Sequence, residues 1–100
     1  MRLKPGVRCS GLQPPILLAM VIAESTVQRI ANIELVVTSL TDGQHKPGSL
    51  HHCGLAFDFR TSTMSEEQKA AVQAALAVDL GGDFDVVLEA THCHVEYDPK

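Results

Sequence analysis

Two short stretches hold most of the chemically versatile side chains of this 100-residue chain. The first is Ser49-Leu50-His51-His52-Cys53-Gly54-Leu55-Ala56-Phe57-Asp58, and the second is Glu89-Ala90-Thr91-His92-Cys93-His94-Val95-Glu96. Imidazole nitrogen and carboxylate oxygen are donors that zinc accepts, and a catalytic zinc keeps three protein ligands with the fourth position open. His51, just ahead of an alternating apolar run, and Asp58, within it, can converge on one ion if Gly54 lets the chain turn. His92 and His94 lie two apart on a predicted strand and so project from one face, which sends Cys93 into the core. His51, Asp58 and one histidine of the second stretch therefore make an open three-ligand site. A neighbouring carboxylate can then take a proton from water whose acidity the metal raises. That is the outline of a metal-dependent hydrolase.

The elements that must position these residues follow from periodicity. The apolar run Ile16 to Ala23 continues through Glu24, Val27, Gln28, Arg29 and Ile30 at helical spacing, and Pro14-Pro15 suits the first turn, where a missing N–H costs nothing. This reading sets aside a leader peptide cut after Ala23, and eight apolar residues are too few to span a bilayer. Ile33 to Thr38 is a short β-branched strand, and residues 40–50 are a loop rich in turn formers. Gly54 to Arg60 alternates with period two. Ser65-Glu66-Glu67-Gln68 is a capping box opening a helix whose stripe is Val72, Leu76 and Leu80, closed by Gly81-Gly82. Val86 to Glu89 and His92 to Tyr97 complete the chain as two strands. The order α-β-β-α-β-β predicts one α+β domain over residues 1–100 with a small, mainly antiparallel sheet and the helices packed on it.

Composition narrows the function further. A net charge of −4 with eight Lys+Arg excludes nucleic-acid binding through clustered positive charge, and general attraction to anionic membranes fails for the same reason. The three cysteines contain no C-x-x-C pair, and the odd count fits reduced thiols, with Cys9 as a small apolar filler. A Cys53–Cys93 disulfide and a Cys/His structural zinc site are the alternatives.

Ser49-x-His51-x-x-Gly54-x-Ala56-x-Asp58 resembles the S-x-H-x-x-G-x-A-x-D signature of the zinc D-Ala-D-Ala carboxypeptidase family (peptidase family M15), which includes phage endolysins. The later His92-x-His94 is similar to that family's C-terminal H-x-H. The resemblance covers residues 33–60 and 86–99. It implies a hedgehog/D,D-peptidase-like zinc peptidase fold, one Zn2+ and a peptidoglycan stem peptide as substrate.

Carried over residue by residue, the resemblance makes His51 and Asp58 zinc ligands. The H-x-H pattern makes His94 the third ligand and His92 a site-lining residue that stabilises the oxyanion. The E-x-x-H pattern would instead make His92 the ligand. His94 is favoured, Glu89 is the candidate general base in both cases, and Glu96 is the reserve. Many members carry an arginine after the Thr-Ser strand end, where this chain has Ser39-Leu40-Thr41-Asp42. Gln44, His45, Lys46 and Arg60 are the candidate substitutes, and Ser49 could brace a ligand or meet substrate. Gly54 and Ala56 would keep space beside the metal, and His52 would face away. The expected function is peptidoglycan cleavage by a protein made in the cytoplasm without a leader and delivered to the wall, as in phage lysis. The alternative is a catalytically silent zinc-binding module of a phage or prophage particle.

Overall fold

The computed structural model describes residues 1–41 and 54–99. The first helix, α1 (Pro14–Ala31), carries its two prolines in the first turn and ends at Asn32, which takes the left-handed conformation (φ 54°) and returns its N–H to Gln28 O at 3.1 Å. Ile16, Ala19, Met20, Ala23 and Val27 form its buried stripe, while Leu17, Leu18, Val21 and Ile22 of the same apolar run are exposed. The second helix, α2 (Glu66–Leu80), opens on the expected capping box: Ser65 Oγ accepts from Gln68 N–H and the Gln68 side chain accepts from Ser65 N–H. Val72 and Leu76 are buried, and Leu80 packs half-buried at the edge of the core.

Five strands form one sheet: β1 (Arg2–Leu3), β2 (Val36–Ser39), β3 (Ala56–Arg60), β4 (Phe84–Leu88) and β5 (His92–Tyr97), in the spatial order β1-β2-β3-β5-β4. The sheet is mixed, which corrects the mainly antiparallel sheet expected from the sequence. The first strand lies parallel to the second, with Arg2 opposite Val36 and Leu3 opposite Val37. Parallel neighbours need a crossover, and α1 is that crossover. A two-residue strand is too short to show alternation, so this edge of the sheet had no sequence signal. The strand expected at Ile33 begins at Val36, and the one expected at Val86 begins two residues earlier, at Phe84.

Both helices cover one face of the sheet. Phe57 and Phe59 of β3 and Cys93 and Val95 of β5 point into the core they form with Leu35, Val37 and Leu40. Strict alternation then places Ala56, Asp58 and Arg60, together with His92, His94 and Glu96, on the other face. Among the described residues no helix is long and apolar enough to cross a membrane. Cys9 is exposed rather than the apolar filler expected, and Cys93 is a buried free thiol.

The two helices are tied by a polar contact at their outer ends. Thr26, fully buried on α1, donates its hydroxyl to Asp79 Oδ2 (2.8 Å) on α2, with Ile22 O as a second acceptor at 3.0 Å. Arg29 reaches the same carboxylate oxygen at 3.0 Å. The Thr26 hydroxyl and then the Arg29 guanidinium hold the Asp79 carboxyl below its ordinary value. A lowered value stabilises the fold above the ordinary carboxylate range, and this is lost as pH falls through the lowered one. Asp79→Asn should therefore lower Tm most at neutral pH, and its gap from the unsubstituted chain should close in acid. A gap that stays constant with pH in thermal melts would remove this account.

Candidate metal centre

Asp58 lies at the middle of β3 and stands opposite His94 in the antiparallel pairing of β3 with β5. Opposed residues on one face of such a pair bring their side chains within contact distance. Here Asp58 Oδ1 and His94 Nδ1 are 2.8 Å apart. On its other side β3 meets β2 across a bulge: Val37 opposes Phe59 but Ser39 opposes Asp58, so β2 has an extra residue beside the aspartate. The site therefore sits where the sheet is locally bent.

The second ring nitrogen of His94 is also engaged, with Nε2 2.8 Å from Glu96 Oε1. The side chains of Asp58, His94 and Glu96 are 13%, 21% and 26% exposed, so the group is half-buried and reachable from solvent. The hydrogen bond to Asp58 is the largest cause raising the His94 pKa, Glu96 adds to it, and burial opposes it. The imidazolium bridging two carboxylates thus stabilises the fold below the ordinary histidine pKa, a contribution lost as pH rises through the raised value. A metal cation competes with the proton on Nδ1, so ion binding strengthens over that same rise.

These residues fit zinc. Two donors bound tetrahedrally at about 2.0 Å from one ion stand roughly 3.3 Å apart, so the Asp58–His94 pair needs to open by only a few tenths of an ångström. The pair is also chemically apt, one carboxylate oxygen and one imidazole nitrogen. His51, the remaining ligand of the sequence reading, lies outside the described residues, as do His45, Lys46, Ser49, His52, Cys53 and Gln44.

His92 is half-buried on the same face, two residues from His94 and opposite Arg60 of β3. Glu89 begins the turn between β4 and β5, its N–H donating to His92 O at 2.8 Å. The register of that hairpin (Val87 opposite His94, Asp85 opposite Glu96) continues to Glu89 opposite His92, again on the site face. Folding therefore gathers Asp58, His94, His92, Glu96, Glu89 and Arg60 on one surface. Arg60 is the described member of the substitutes for the family arginine. A second arginine is brought near by the fold: the Arg8 carbonyl accepts from Thr41 N–H (3.1 Å) and Oγ1 (3.0 Å), just past the end of β2. Arg8 is more than thirty residues away in sequence, and no local pattern marks it.

The Cys93 thiol is pushed up to about 12, chiefly by burial and then by the Asp58 and Glu89 charges. It stays protonated near neutrality and faces the core, so it is neither a ligand nor a nucleophile. That removes Cys93 from the structural Cys/His alternative. Gly54 has a backbone reason to be glycine. It has φ +73°, and a methyl group on it would run into the backbone of Gly11 and Leu12. Ala56, on the site face opposite Glu96, is small and fully buried. Asp85, Glu96 and Asp98 also bring one carboxylate oxygen each within 4.8 Å of one another, so Glu96 joins His94 to an acidic end of the hairpin.

No curated protein matches the chain. A family model does: the Hedgehog amino-terminal signalling domain matches residues 17–97, from the first full turn of α1 to the last residue of β5, and includes Asp58, His92 and His94. The likeness to zinc peptidases noted in the two histidine stretches is thereby supported at the level of the superfamily, with a zinc-binding fold. The chain belongs to the Hedgehog amino-terminal signalling domain family, within the zinc peptidase-like superfamily.

Proposed function

We propose that this domain is a zinc-dependent peptidase acting on peptidoglycan stem peptides. The observation that carries the reading is the Asp58–His94 contact, a zinc-competent donor pair on the sheet face that also holds Glu89, His92 and Arg60. His51, seven residues before Asp58 in the metal-binding signature, supplies the remaining ligand. Bound zinc would polarise the scissile carbonyl and make the attacking water more acidic. Glu89 accepts a proton from that water and delivers it to the nitrogen of the leaving amine. His92 and Arg60 offer N–H donors to the oxyanion of the tetrahedral intermediate. His45, Lys46 and Ser49 are the further candidates for contacting substrate. In this reading the protein is made in the cytoplasm and is delivered to the wall at lysis.

A second reading is a catalytically silent zinc-binding module, a structural part of a phage or prophage particle, which the same Asp58–His94 donor pair would serve without turnover. Incubating the purified protein with peptidoglycan, with and without a chelator, and following released amines by mass separates the two. The peptidase reading expects cleavage that the chelator stops and zinc restores. It also expects Glu89→Gln to lose about 10²–10⁴-fold in rate while zinc content stays the same. Zinc binding without cleavage of any stem-peptide bond would leave the silent module.

A further inference from the structure

We propose that Glu96 is the positioning residue of the metal centre: its carboxylate takes the Nε2–H of His94 and so commits Nδ1 to the ion. The inference rests on the zinc reading above and deepens it. A neutral imidazole carries one N–H, and the nitrogen without it has the lone pair a metal needs. In this chain the two nitrogens have different partners. Nδ1 faces Asp58 Oδ1 at 2.8 Å, and Nε2 faces Glu96 Oε1 at 2.8 Å. Asp58 is the ligand of the zinc signature, so Nδ1 is the nitrogen beside the second donor and Nε2 is the one turned to a carboxylate. A carboxylate on the outer nitrogen fixes tautomer and ring orientation and raises the basicity of the inner one.

The strand geometry makes the arrangement durable. Glu96 and His94 are two apart on β5 and share a face by the period of the strand, with no loop between them. Across the ladder the position opposite Glu96 is Ala56, buried and small, so the carboxylate can lie back along β5 toward the imidazole. The same hydrogen bond occupies Glu96 and leaves Glu89 as the base. It also gives Ala56 of the signature a role: room for the residue that orients the ligand.

The test uses the full chain and zinc itself. Zinc affinity is measured by competition with a chromogenic chelator for the unsubstituted protein, Glu96→Ala and Glu96→Gln, and nitrogen NMR of the histidine rings reports which nitrogen of His94 holds the proton. Glu96→Ala should weaken zinc by about 10–100-fold, the usual effect of removing such a carboxylate. Glu96→Gln, whose amide oxygen can accept the same N–H, should lose less than about tenfold. In the unsubstituted zinc-bound protein Nε2 should be protonated and Nδ1 metal-bound. An unchanged affinity in a folded Glu96→Ala, or metal on Nε2, overturns the proposal. If Glu96→Ala does not fold, the ring spectrum and the Gln variant still decide it. A protein that binds no zinc overturns the zinc reading and this inference together. One that binds a zinc dependent on Asp58 but indifferent to Glu96 overturns this inference alone.

Discussion

Asp58→Ala is expected to take the purified protein from one zinc per chain to none, with affinity lowered by well over about 100-fold. The bound is conservative, since loss of a residue that only orients a ligand already costs about 10–100-fold. Asp58 is held on the middle strand of the sheet, between β2 and β5, and its carboxylate is the partner of His94 Nδ1. Its removal leaves that nitrogen without the second donor and takes away the negative charge that offsets the cation. Asp58→Asn keeps the volume and a hydrogen bond but supplies only a neutral, weakly donating amide, and should behave almost as badly. Metal analysis of the purified variants, with circular dichroism to show that they fold, is the check. A folded Asp58→Ala that keeps zinc at the original affinity would move the metal elsewhere, to the Asp85, Glu96 and Asp98 carboxylates in the first instance.

Gly54→Ala should cost more than about 2 kcal/mol of stability, a drop in Tm of roughly 8–16 °C for a domain of this size. Part of the cost is conformational, because φ +73° puts an L side chain in the left-handed region at about 1–2 kcal/mol. The rest is steric. The added methyl would overlap the Gly11 carbonyl oxygen and come within 2.9 Å of the Gly11 carbonyl carbon and 3.0 Å of Leu12 Cα. These are backbone atoms, and they cannot swing aside as a side-chain tip would. The approach is anchored by Gln13 N–H donating to Gly54 O at 3.0 Å, so relief of the clash breaks the contact that fixes the start of α1 to the start of β3. Thermal melts of the variant test this, and a Tm within a few degrees of the original would show that the two segments can part cheaply.

The motif glycine shows how far sequence reasoning reached. Its position beside His51 and Asp58 marked it as part of the site, yet its contact is with a segment more than forty residues earlier, which no local pattern exposes. The same holds for β1, whose two residues are a strand only because α1 returns the chain alongside β2. Arg8 reaches the end of β2 by the same N-terminal path. The helices were legible, because a capping box, a proline pair and apolar spacing are local signals, though only packing chose which apolar residues are buried: Ile16, Ala19, Met20 and Ala23 but not Leu17, Leu18, Val21 and Ile22. Glu96 was legible as a residue on the right face but not in its role, since strand period gives the face and only distance gives the partner.

What the sequence by itself determined is a group of residues whose types zinc takes, and their alternation. His51, Asp58 and His94 have the types zinc takes, and period two puts Asp58 on one face of β3 and His92, His94 and Glu96 on one face of β5, with Phe57, Phe59, Cys93 and Val95 behind them. What only the tertiary structure decided is which of these meet. Register between two strands depends on how their buried faces pack, not on either strand alone. The register that stacks Phe59 on Cys93 and Phe57 on Val95 in the core is the one that sets Asp58 opposite His94 on the other side. A shift of one residue would have turned the aspartate into the apolar layer, so the packing of the core selects the pair that can hold the metal.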